Sequence, residues 1–504
     1  MRDICYFSGS SAIAFKHGHS SQRYFSQSFG RGLSEKHHPA NSRALVVLKR
    51  SDHVLTCPHR YTDEDPASFE GVWFGEARWG QAKHRSLTIA NTGRVPASFT
   101  LIERPIGPGQ SPGVAPKWLN LKIHGDVVHS SSHGTQAIHL EPGDTDKIEL
   151  ELRIFDISIM QALNEGRASL DDILVLRVEG GRDHFIPVRG RWLESSLGHS
   201  INKLIRIPEG GIRRLQKQRP HSGSSGNGKS ANSPTSATHS RTTSSSSTRV
   251  SLEEQPVRFS APRELFRLTE AVEELSGRIV AEYEMTATED SPAAPWKEHP
   301  GWPFDEACWA ERGTEQWDSA LSEVCAALDE DRSLEASMPA EMPRLQRLYV
   351  LASFLMLFLS SMPDGVVTEA LWKDADAYLS AKSKPSSVED QRTALQELLA
   401  QDPSHSISFV LITSMLERMS QELSRGADTV PTSPGPKRTG TFRRMAGLGK
   451  VAAQPAHEES SRAFARIFAP VVVRSAGGLS EKVKVAVERR KIELLKVFLR
   501  REGG

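Results

Sequence analysis

Residues 403–423 constrain this chain more than any other stretch. Phe409, Ile412, Leu416, Met419 and Leu423 recur at steps of three and four, and Ile407, Val410, Leu411 and Met415 add a second apolar face. A helix apolar round most of its circumference has to be wrapped by other helices. Its start is marked by Asp402-Pro403-Ser404, which supplies a cap oxygen and a proline where no backbone donor is lost. Residues 344–362 carry Leu348, Leu351, Phe354, Leu355 and Phe358, and residues 462–473 carry Phe464, Ile467 and Phe468 at similar spacing. The three segments predict an all-α domain with its core here.

Charge narrows the partners. Lys plus Arg number 63 and Asp plus Glu 62, so a formal charge of +1 over 504 residues provides no global field to recruit nucleic acid or an anionic membrane. The four cysteines, Cys5, Cys57, Cys308 and Cys325, include no close pair, which argues against a disulfide framework and against zinc. The pattern is that of a reduced, intracellular chain with no cofactor motif. The histidines, among them His37, His38, His124, His129, His133 and His139, are irregularly spaced in polar segments and read as solvated surface. The richest apolar run, residues 348–359, is well short of the ~18 residues a membrane span needs.

Residues 1–65 are rich in Ser, His and basic residues; they read as a disordered tail, with an organelle transit peptide as the alternative. The run Ala44-Leu45-Val46-Val47-Leu48 is their one strand-like piece. Across the next region, 66–194, short alternating runs are divided by turn chemistry such as Asn91-Thr92-Gly93, Glu141-Pro142-Gly143-Asp144 and Glu179-Gly180-Gly181. These predict an antiparallel, immunoglobulin-like β-sandwich. A short connector, 195–217, is expected to pack on the next domain. Residues 218–258 form a Ser-rich linker, either a tether or a phosphorylation target. Helices are predicted at 263–279, 316–328, 344–362, 369–379, 389–399, 403–423, 462–473 and 481–502, with a disordered insertion at 425–460.

Several of these runs resemble a known family. Leu87-Thr88-Ile89-Ala90-Asn91-Thr92-Gly93-Arg94-Val95-Pro96-Ala97-Ser98-Phe99, Leu140-Glu141-Pro142-Gly143, Asp171-Asp172-Ile173-Leu174-Val175-Leu176 and Gly181-Arg182-Asp183-His184-Phe185-Ile186 look like the ASH module of the Lowe-syndrome type of inositol polyphosphate 5-phosphatase. The helices over 259–504 are similar to a RhoGAP domain, through the break at Met362-Pro363, the step from Leu398-Leu399 to Pro403, and Phe464-Ala465-Arg466-Ile467-Phe468-Ala469-Pro470. The same order of modules follows the phosphatase in that family.

The resemblance implies where chemistry would lie. Its arginine finger falls in a loop whose counterpart here is Gly301-Trp302-Pro303-Phe304, so that Phe304 stands where the arginine would be. The family's lysine and asparagine fall at Met356 and Ala463. Trp302, Phe304, Met356 and Ala463 are therefore the implied GTPase-contacting positions, and without the cation no catalytic residue remains. Arg278 or Arg312 is the alternative source of a finger. Ser51-Asp52-His53 resembles the last triplet of the phosphatase, with Asp52 and His53 as a remnant or a chance match; the other metal and phosphate motifs are missing. The implied function is a GTPase-binding adaptor on endosomal or Golgi membranes, taking a Rab-type GTPase at the sandwich and a Rho/Rac-type GTPase at the helical domain. The alternatives are an active GTPase-activating protein and a truncated phosphatase. Basic residues of the last helix, Arg489, Arg490, Lys491, Arg500 and Arg501, are either a solvated face or a peripheral lipid contact.

Overall fold

Turn chemistry cuts the first part of the chain into strands, and apolar periodicity makes helices of the rest. The computed structural model describes residues 13–17, 21–25, 46–51, 71–105, 112–129, 132, 134–217, 255, 257–286, 293–381, 387–425, 453–478 and 480–500. These belong to two units, Met1–Leu193 and Glu194–Gly504.

In the first unit β1 (Ile13–His17) and β2 (Ser21–Phe25) form an antiparallel hairpin. One five-stranded sheet has the order β3 (Val46–Ser51), β5 (Lys83–Asn91), β10 (Thr145–Leu152), β7 (Leu119–Ile123), β8 (Asp126–Val128). The other runs β4 (Val72–Ala77), β12 (Asp183–Trp192), β11 (Leu170–Val178), β6 (Ala97–Ile102), β9 (Ile138–Leu140). Pairing is antiparallel except for β4 beside β12, which is parallel. Alternate residues face inward, as the pleat requires: Phe74, Leu87, Ile89, Phe99, Leu101, Ile148, Leu150, Leu174, Leu176, Ile186 and Val188 are buried. Each contributes about 1.5–3 kcal/mol for a fully buried side chain. The Asn91-Thr92-Gly93 turn is held from within, because buried Asn91 donates through Nδ2 to Val95 O at 2.8 Å and Leu140 O at 2.9 Å and accepts from Gly93 N at 3.0 Å. Helix α1 (Ile157–Asn164) starts at Asp156, whose carboxylate accepts from Ser158 N and Ile159 N.

Within 1–65 the described residues are those of β1, β2 and β3. β3 lies against the edge of β5 in a register running from Val46↔Asn91 to Ser51↔Ser86. The strand begins within the strand-like run at 44–48, and the pairing satisfies the backbone of both strands.

In the second unit the connector holds α2 (Ile201–Leu204) and α3 (Ile212–Lys217) and converges on Asp329, a buried carboxylate. Ser195 Oγ donates to it at 3.2 Å, Ser196 N and Oγ at 2.7 Å each, and Arg213 Nη2 at 3.1 Å. Ten-residue and longer helices follow: α4 (Arg263–Thr286), α6 (Glu315–Asp329), α7 (Arg344–Ser361), α8 (Glu369–Ser380), α9 (Val388–Leu399), α10 (Pro403–Arg425), α11 (Ala453–Val472) and α12 (Glu481–Leu499); α5 (Pro295–Glu298) is a single turn. Threonine or serine caps α6, α8 and α9 through Thr314, Thr368 and Ser387. The break after α7 is fixed by Arg474, whose Nη2 donates to Ser360 O at 2.8 Å and Met362 O at 2.7 Å.

α10 packs on α4, α9, α11 and α12, burying Phe409, Ile412, Met415, Leu416, Met419 and Leu423. Its second apolar face is only partly covered: Ile407 is 43% and Val410 41% exposed. α11 begins at Ala453, inside the expected insertion, because its first turns bury His457, Ser460 and Ser461 instead of the large aliphatic residues that periodicity detects. Among the described residues no helix is long and apolar enough to cross a membrane.

Candidate docking surfaces

On the sandwich, the outer face of the β4-β12-β11-β6-β9 sheet breaks the polar-out rule. Val175 of β11 stands opposite Phe185 of β12 on one side and Ile102 of β6 on the other, and Ile173 stands opposite Pro187. Directly opposed side chains lie about 5 Å apart, so these five form one apolar surface. Phe185 is 57% exposed and Ile173 37%, while Val175 beneath them is buried. Ion pairs frame the patch. Arg177 forks onto Asp183 at 2.8 and 2.7 Å, and Arg189 Nε meets Asp171 at 2.5 Å. His184, next to Phe185, points the other way; burial lowers its imidazole to about 4, so it is neutral at neutral pH.

On the helical unit, the loop after α4 meets α7 and α11 around a groove of about 940 Å³. Gly301 lets the loop close on α11, since a β-carbon there would stand 2.5 Å from Ile467 Cδ1. Trp309, Leu321, Met356, Leu357, Ala463, Ile467 and Val471 give the groove apolar walls; Arg312, Arg462 and Arg466 give it cations, and Asp305, Glu306 and Glu459 its acids. Arg312 pairs with Glu306 and lies over the Trp309 ring, 5.6 Å from its centre. Arg462 pairs with Glu458 on its own helix.

The positions implied by resemblance separate into two sets. Met356 and Ala463 line this groove, half-buried. Trp302 and Phe304 are buried, with 0% and 1% exposure, although Phe304 also borders the groove. Phe304 is wedged edge-on between Phe464 and Phe468, ring centres 5.8 and 4.7 Å away. Trp302 packs on Trp296 and donates to Tyr349 Oη at 3.2 Å; burial pushes the Tyr349 phenol up to about 12, with that hydrogen bond opposing. Cys308 in the same loop is pushed up to about 11, chiefly by burial, which leaves it a thiol. Arg278 is part of α4 and pairs with Glu274 and with Glu335 at 3.2 Å, outside the groove. Asp52 and His53 lie outside the described residues. Arg462 and Arg466 were overlooked, although their four-residue spacing within the helix carrying Phe464 and Phe468 places them on a common face. Among the described residues no group of three or more His, Cys, Asp or Glu side chains could hold a metal ion.

Residues 68–192 match the family described as inositol polyphosphate 5-phosphatase OCRL-like, ASH domain. The mouse protein named type II inositol 1,4,5-trisphosphate 5-phosphatase is 29% identical over 137 residues, which are 27% of this chain and 12% of that protein's length. The ASH / PapD-like domain of human CEP192 (PapD-like domain 7) aligns over 29% of this chain and all of its own, at 12% identity and a TM-score of 0.15, too low to add to the description of the fold.

Proposed function

We propose, from the premise that residues 68–192 are an ASH domain of the OCRL-like inositol polyphosphate 5-phosphatase kind, that the protein is a catalytically silent adaptor for small GTPases. The helical unit is read as RhoGAP-like, with the groove between the 293–314 loop, α7 and α11 as the seat for a Rho/Rac-type GTPase. The outer face around Phe185 is the seat for a Rab-type GTPase. Both would act at endosomal or Golgi membranes, with the protein bound peripherally.

One observation carries the silent part of this reading. The side chain that the resemblance puts in the finger position, Phe304, is buried between two other phenylalanines. A GTPase-activating protein of this type supplies a cation to the charge developing on the transferred phosphoryl group, worth about 10³–10⁵ in rate. A phenylalanine in the core supplies none. What remains is an apolar groove with an arginine rim, suited to binding. The Rab-type assignment is supported by an apolar patch framed by ion pairs, the usual anatomy of a protein-docking face.

A second reading has its own observation. Arg312 lines the groove with 55% of its side chain exposed, and would act as a finger if a partner drew it from Glu306. The test is to load a Rho/Rac-type GTPase with GTP or GDP, add the full chain, and follow binding and hydrolysis together. The adaptor reading requires binding of the GTP form with an unchanged hydrolysis rate. An accelerated rate that Arg312→Ala abolishes would establish the second reading.

A further inference from the structure

Where β4 and β5 face each other at one end of the sandwich, three basic residues gather. Lys83 and Arg85 are two apart and so project from the same side of β5, and Arg78 follows β4 in the turn joining the two strands. Arg85 is held against β4, its Nε donating to Trp73 O at 3.0 Å and its Nη1 to His84 O at 2.9 Å. Lys83 leans over the same strand. Its Nζ stands 4.0 Å from the point a β-carbon on Gly75 would occupy, and Gly75 has a φ of +72°, so that the ammonium rests above bare backbone.

Lys83 is half-buried, yet among the described residues none gives its ammonium a hydrogen bond or an ion pair. Burial first, then the charge of Arg85, hold it below the ordinary lysine value; Glu76 opposes, and Arg78 adds the smallest lowering. Glu76 is also approached by Arg191, at 3.7 Å. Basic residues that merely guard a sheet edge sit in water, where their charge is solvated. A half-buried ammonium that feels the charges of two arginines instead carries a standing penalty, which a bound anion would reverse.

We propose that Arg78, Lys83 and Arg85 form a binding site for a phosphate monoester, with the Lys83 ammonium at its centre. A phosphate monoester carries close to two negative charges and three acceptor oxygens, matching a cluster of cations better than a single carboxylate does. The phosphate belongs either to a soluble molecule or to a lipid headgroup. The site is separate from the apolar face around Phe185: its cations stand on β5 and in the β4–β5 turn, whereas that face is formed by β11, β12 and β6.

Calorimetry on the full chain with glycerol 3-phosphate tests the site, and flotation with phosphatidylcholine vesicles carrying phosphatidylinositol 4-phosphate or phosphatidylserine tells the two sources apart. Wild type should bind glycerol 3-phosphate and gain melting temperature from it. Lys83→Gln should bind about tenfold more weakly or worse, while melting no lower than wild type without ligand; Lys83→Arg should retain binding. Flotation with the phosphoinositide alone, reversed by glycerol 3-phosphate, assigns the site to a headgroup, and binding without flotation assigns it to a soluble ligand. No heat and no melting shift with wild type, or unchanged affinity in Lys83→Gln, overturns the proposal.

Discussion

Two phenylalanines, one in each unit, face opposite ways. Phe185 is 57% exposed on a sheet face, where Val175 and Pro187 support it, whereas Phe304 is 1% exposed and locked between Phe464 and Phe468. Each lies in a run that carries a family resemblance, yet one ring is exposed to solvent and the other is packed in the core. A motif position therefore says where the backbone goes; burial says whether its side chain still meets anything. In the helical unit the groove is kept by packing, and its cations are Arg312, Arg462 and Arg466.

Restoring the arginine is the strongest way to break that contrast. Phe304→Arg puts a guanidinium between the Phe464 and Phe468 rings at the wall of the groove and should destabilise the fold by about 4–5 kcal/mol, read as a large fall in the thermal midpoint. A variant that stays folded at the wild-type midpoint would mean that the 301–304 loop can turn outward, and the inward-facing assignment would fail.

A second effect of the helical core depends on pH. Glu264 on α4 is buried with Oε2 unsatisfied, and burial raises its carboxyl from 4.5 to about 7, the charge of Asp329 adding to this while Arg267 and Arg263 oppose. A group protonated more readily in the folded state contributes stability that is fully present below about pH 4.5 and lost as pH rises through about 7. Glu264→Gln should thus gain about 2–3 kcal/mol above about pH 8 and almost nothing near about pH 4. Denaturation curves at the two pH values check it; an equal effect at both would assign Glu264 a role other than titration.

The smallest stability change belongs to the outward residue. Phe185→Ala should shift unfolding by no more than about 0.5–1 kcal/mol, yet weaken a Rab-type GTPase by about thirtyfold if the ring is the centre of its interface. Phe304→Ala should show the reverse, losing about 3–5 kcal/mol of stability. Matched unfolding and binding measurements on the two variants sharpen the comparison directly.

Much of this architecture can be read from residues, and the failures share a cause. Ala97–Ile102 alternates cleanly and is a strand with those bounds. Leu119–Ile123 and Ile138–Leu140 pass unnoticed because Pro, Gly and His surround them and each is too short to establish a period. The eight residues of α1 escape for the same reason, although Asp156 and Ser158 spell out its cap. β3 begins inside the strand-like run at 44–48, whereas the start of α11 is missed because residues 457, 460 and 461 bury histidine and serine. For the sites, periodicity found the helices that wall the groove. The inward rotation of Trp302 and Phe304 is set by aromatic neighbours on α11 and by Trp296, contacts that spacing along the chain does not encode.

A single-turnover assay of GTP hydrolysis on a panel of Rho/Rac-type GTPases, with the full chain in excess and binding followed in the same samples, tests the central claim most directly. The account predicts a complex with the GTP-bound form of at least one of them and hydrolysis at its intrinsic rate. Acceleration of about a hundredfold or more would contradict it and make the protein a working GTPase-activating protein.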